Sequence, residues 1–149
     1  MTKLLPQFII AIVTISILGF VFLLAYKPWF KLSKTFGSKL SPPETFIEQQ
    51  SCILKQTILQ GYINVGIAEQ KLYLSHTPPL SHFIHPLLID WDAITKIESC
   101  FDSLLGGRCY KLFIGELNIT TLILSQNLIE KLEEDYGEPI FSNKLRELN

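Results

Sequence analysis

The chain has 149 residues and a net charge of −1; apolar side chains make up 48 % of it and charged ones 18 %. That length admits one ordinary domain, and the near-neutral charge excludes a general nucleic-acid binder, which carries a strong basic footprint. A mean hydropathy of +0.28 is high for a wholly soluble domain, and the excess is not spread evenly.

Between Lys3 and Lys27 there is no charged residue. The run FIIAIVTISILGFVFLLAY, Phe8 to Tyr26, predicts a transmembrane helix. At 1.5 Å per residue it spans about 28 Å, close to a hydrocarbon layer of about 30 Å. Thr14 and Ser16 bond back to the preceding turn, and Gly19 is tolerated in such helices. A cleaved signal sequence has a shorter apolar stretch, of about 7–15 residues, and a small-x-small site after it. Here Ala25 has Leu23 two positions before it. Pro28 marks the expected exit from the bilayer. Tyr26, Lys27, Trp29, Lys31 and Lys34 form the aromatic and basic mixture expected at a headgroup layer. Lys27, Lys31, Lys34 and Lys39 outnumber Lys3 and the α-amino group. The positive-inside rule therefore expects the C-terminal part in the cytoplasm, below an inner or plasma membrane.

Trp29, Leu32 and Phe36 have helical spacing and predict a short juxtamembrane helix, ended at Gly37-Ser38. Ser41-Pro42-Pro43 reads as a stiff link. The expected division is a tail and anchor over 1–27, a juxtamembrane helix and linker over 28–43, and a β-rich domain over 44–149. Within that domain Phe46 to Leu54 reads as a first strand and Gly61 to Ala68 as a second, with Ile63, Val65 and Ile67 on one face. Glu69-Gln70-Lys71 turns into Leu72 to Ser75, and His76 to Pro86 is a loop. Leu87 to Ile89 is a short buried strand followed by a turn from Trp91 to Ile94. Lys96 to Phe101 leads through a Gly106-Gly107 turn into Arg108 to Ile114, and Gly115-Glu116 into Leu117 to Leu124. Leu128, Ile129, Leu132 and Tyr136 then mark an amphipathic helix with an acidic outer face. Asn127 and Glu130 resemble a capping box, and Gly137 and Pro139 end the helix. About seven short strands and a terminal helix make an α+β arrangement, the helix covering one face or end of an antiparallel sheet.

The hairpin GYINVGIAEQKLYLS and the following PLLIDWDAI, ahead of a C-terminal helix, resemble the pleckstrin-homology-like superfold, GRAM and bacterial PH-like domains included. The chain is also similar to bacterial membrane-anchored proteins with a Trp-x-x-Leu segment and a His-Pro-x-Leu-Ile-x-Trp stretch, here His85 to Trp91. The resemblance implies a sheet plugged at one end by the helix. In PH-like domains phosphoinositides often bind a basic loop between the first two strands. Between Cys52 and Gly61 the cation here is Lys55 alone, where a phosphate clamp wants several.

His76, His82 and His85, with Asp90 and Asp92 behind them, carry zinc-ligating chemistry, but H-x5-H-x2-H is no standard metal spacing. Trp91 reads as a core or rim aromatic. Cys52, Cys100 and Cys109 are an odd number, which a disulfide framework does not favour. Cys100 and Cys109 flank a hairpin and pair in an oxidising space; otherwise the three are buried thiols. Asn118-Ile119-Thr120 matches a glycosylation sequon. Nucleophile elbows, Gly-rich phosphate loops and paired catalytic carboxylates are missing, so the expectation is no enzyme and no cofactor. The leading functional expectation is a membrane-tethered protein-interaction module that offers a strand edge or helix groove. A sensor of anionic lipid using Lys27, Lys31, Lys34 and Lys39 is the alternative, and a metal-dependent hydrolase on the histidine loop a more distant one.

Overall fold

The computed structural model describes residues 4–116 and 120–149. A single helix, α1 (Leu4–Phe36), is followed by strands β1 (Phe46–Leu54), β2 (Thr57–Ala68), β3 (Lys71–His76), β4 (Leu87–Ile89), β5 (Ile94–Asp102), β6 (Gly107–Ile114) and β7 (Thr120–Ser125), then by α2 (Gln126–Tyr136) and α3 (Ile140–Leu148).

Helix α1 is long and apolar enough to cross a membrane, and its apolar N-terminal stretch is unburied. It does not stop at Pro28, which lies inside it. Proline removes one ladder hydrogen bond and crowds the carbonyl four residues back. What carries the helix through is the stripe Tyr26, Trp29 and Leu32, at i, i+3 and i+6, all buried against the sheet. The separate juxtamembrane helix expected over Trp29 to Phe36 is thus the last part of the anchor helix, and it belongs to the domain core. Gly37 closes α1, its N–H donating to the Ser33 carbonyl at 2.9 Å; a side chain at 37 would collide with that carbonyl. The chain then runs beside β4 through a bridge between Gly37 and Leu87.

The seven strands form one antiparallel sheet in the order β4-β3-β2-β1-β7-β6-β5. Among the described residues its two halves are joined where β1 pairs with β7, at Ile53↔Ile123 and Leu54↔Leu122. Irregular register in β1 around Gln50, with Gln49 at a φ of 55°, adds the local bend that bulges impose. A short seam and a bent central strand let the sheet curl. Its concave side holds one core: Tyr26, Trp29 and Leu32 of α1, the inward residues of the strands, Leu128, Ile129 and Leu132 of α2, and Phe141 of α3.

Strand β2 begins at Thr57, four residues before the expected start, and passes Gly61 in a left-handed conformation, φ 71°. The cap of α2 is Ser125, whose hydroxyl accepts from the Leu128 N–H at 3.1 Å. It replaces the expected Asn127, and Glu130 instead accepts from the Gln126 amide at 2.7 Å. Helix α3 is an addition to the expected elements. Pro139 ends one helix and precedes the next, and the Phe141 ring packs on Tyr110 at 5.0 Å and Trp91 at 6.4 Å. The sequon at Asn118 and the expected start of the last strand at Leu117 lie outside the described residues.

Candidate functional site

The three histidines do not come together. His76, the last residue of β3, is 1 % exposed and wedged against α1, its ring 4.2 Å from that of Trp29 and 5.2 Å from that of Tyr26. Neither of its nitrogens has a hydrogen-bond partner among the described residues, and burial pushes its pKa down to about 4. His82 and His85 sit on the exposed loop. Among the described residues no group of three His, Cys, Asp or Glu side chains is placed to hold a metal.

Tyr26 and Trp29, expected at the headgroups, are buried in the domain instead; Trp29 is 1 % exposed. The Trp29 indole N–H donates to the His85 carbonyl at 3.2 Å, which ties the anchor to the β3–β4 loop. An aromatic pair at a helix end satisfies an interfacial belt and a core equally well, and the partner sheet decides between them. Lys27, Lys31 and Lys34 are exposed.

Cys52 is enclosed, and burial pushes its thiol up to about 12, which leaves it inert as a nucleophile. Cys100 and Cys109 face each other across β5 and β6, with Cα atoms 5.1 Å apart, and are disulfide-bonded. The hairpin thus sets the two sulfurs opposite one another, as the paired reading in an oxidising space requires.

The same hairpin carries the most exposed apolar surface of the sheet. β5 is one of the two edge strands, at the opposite end of the sheet from β4. Near its end Phe101 is 77 % exposed, and Leu104, in the turn that follows, 56 %. This turn is built to hold them out. The Asp102 carboxylate accepts from the Leu104 N–H at 2.8 Å, and Gly106 takes the left-handed conformation that lets β6 begin, φ 84°. Beside Phe101 a groove of about 460 Å³ is lined by Ser99, Cys100, Arg108, Tyr110 and Gln126. Sequence reasoning placed the hairpin but not this surface. The signal was an apolar Phe101 and Leu104 on either side of Asp102, where turn residues are ordinarily polar.

A comparison with protein-family models and with curated proteins finds no match to this chain.

Proposed function

We propose that the protein is a single-pass, membrane-tethered interaction module with a PH-like sheet on the cytoplasmic side, and that it binds an extended protein segment along β5. The observation that carries this reading is the combination, on one hairpin, of an outermost strand with two protruding apolar side chains and a groove. Strand addition supplies main-chain hydrogen bonds, and apolar side chains seated beside the edge supply selectivity. Large side chains left in water at a sheet edge are otherwise an aggregation hazard. Binding is favoured over catalysis because the side chains chemistry would use, Cys52 and His76, are withdrawn into the core. The tether confines the search for a partner to the membrane plane.

The test is a photoreactive phenylalanine at position 101 in the full-length chain in native membranes. One discrete protein adduct is expected, and Leu104→Asp is expected to abolish it at unchanged protein level. An adduct pattern indifferent to Leu104→Asp overturns the reading.

The cytoplasmic placement rests on Lys27, Lys31, Lys34 and Lys39. In sealed right-side-out vesicles, added protease is expected to leave the domain intact until detergent is present; cleavage without detergent reverses the orientation. In a reducing compartment the Cys100–Cys109 pair is held as facing thiols.

A further inference from the structure

Lys27 and Lys31 are one helical turn apart on α1 and so share a face. Two bonds place the β1–β2 turn, one tying it to α1 and the other to β7. The Thr57 hydroxyl donates to the Ala25 carbonyl at 3.1 Å, and the Lys55 N–H to the Thr121 carbonyl at 2.7 Å. Lys55 itself adopts a left-handed φ of 59° in that turn. The result is a notch of about 320 Å³ bordered by Lys27, Lys31, Lys55, Thr57, Thr120 and Leu24.

Three features of the notch ask for an anion. No carboxylate lines it among the described residues. None of the three lysines is in an ion pair among the described residues. Thr120 is 3 % exposed, and its buried hydroxyl has no partner among the described residues. An unmatched buried hydroxyl costs free energy, and like charges gathered at one place repel; one phosphate group relieves both. Its depth narrows the source. Ala25, which receives the Thr57 hydrogen bond, is one residue from the end of the expected membrane span, so the notch opens where headgroups lie. Leu24, exposed at its border, offers an apolar flank to an acyl chain.

We propose that this notch binds the headgroup phosphate of one anionic phospholipid, held by Lys27 and Lys31 of the anchor, Lys55 of the β1–β2 turn and the Thr120 hydroxyl. Two of the site's cations come from the anchor helix, just past the expected membrane span. It is separate from the β5 edge, and failure of one reading leaves the other standing.

Full-length protein is reconstituted in nanodiscs of mixed phosphatidylglycerol and phosphatidylcholine, and the lipid retained after release into detergent is counted by native mass spectrometry. Wild type is expected to keep one phosphatidylglycerol. Lys55→Gln is expected to weaken retention roughly fivefold, as one lysine near an anionic surface does, and the triple variant Lys27→Gln, Lys31→Gln, Lys55→Gln to lose it. Lys34→Gln with Lys39→Gln, outside the notch, is expected to retain the lipid. Thr120→Val removes the unmatched hydroxyl while keeping side-chain shape, so it is expected to weaken retention with thermal stability no lower than that of wild type. Retention equal in wild type and triple variant overturns the proposal. Displacement by millimolar inorganic phosphate as effective as by short-chain phosphatidylglycerol overturns the lipid as source and assigns the notch to free phosphate.

Discussion

A fragment of residues 44–149, cut at the proline-rich stretch where the sequence suggests a boundary, is expected to lose the native fold, whereas residues 25–149 keep it. The shorter fragment lacks Tyr26, Trp29 and Leu32, three members of the core, and the bridge between Gly37 and Leu87. Truncating one buried Trp or Leu to Ala costs about 2–5 kcal/mol. Losing the whole stripe therefore costs on the order of 5–10 kcal/mol, the same size as the total stability of a domain. Circular dichroism and hydrogen exchange separate the outcomes. A cooperative thermal transition of 44–149 within a few degrees of that of 25–149 would show that α1 merely leans on a self-sufficient sheet. In the full chain, Trp29→Ala is expected to lower the melting temperature by about 15 °C, taking 3–5 kcal/mol for the lost indole at roughly 4 °C for each kcal/mol.

This first expectation reverses what the sequence suggests, and the reason is physical. Strands were legible because their signal is local. Ile63, Val65 and Ile67 alternate along β2, and all three are buried. The anchor was legible for the same reason: an uncharged apolar run needs no knowledge of what surrounds it. Its end was not. Tyr26, Trp29 and Leu32 form the same stripe whether it meets headgroups or a sheet, and Pro28 is a strong stop signal that only distant packing overrides. Helix α3 did leave a trace, since Phe141, Leu145 and Leu148 recur at i, i+4 and i+7, but the stretch is short and stands behind Pro139. The basic notch was illegible. Lys55 stands alone in its turn, and Lys27 and Lys31 join it only because Thr57 pins that turn to Ala25. The hairpin showed that Cys100 and Cys109 stand opposite one another, while their oxidation state belongs to the compartment.

His76 makes the junction between anchor and sheet sensitive to acid. Its imidazole is enclosed by Trp29 and Tyr26, and burial holds its pKa at about 4, against 6.5 when unperturbed. Below pH 6.5 the unfolded chain takes up a proton that the folded chain refuses, so stability falls as pH falls. The contribution is fully present above pH 6.5 and is lost progressively down to about pH 4, where the folded state also protonates. At 1.36 kcal/mol for each pKa unit the loss is about 3 kcal/mol. His76→Leu is expected to remove it, and to remove two unpartnered nitrogens from the core as well, so the variant should be at least as stable as wild type at pH 7.5 and more stable at pH 4.5. Urea unfolding of the full chain in micelles at both pH values reads the difference. Carboxylates such as Glu98, whose pKa the hydrogen bond from Lys96 lowers, contribute alike to both proteins and cancel in the comparison. Parallel pH profiles for wild type and variant would place His76 outside the acid response, while His82→Leu, on the exposed loop, serves as the substitution expected to change nothing. Because His76 touches the two aromatics that anchor α1, the charge it acquires in acid is placed between the helix and the sheet. The expected first event is therefore separation of the two, seen as a red shift of Trp29 emission ahead of the loss of β structure.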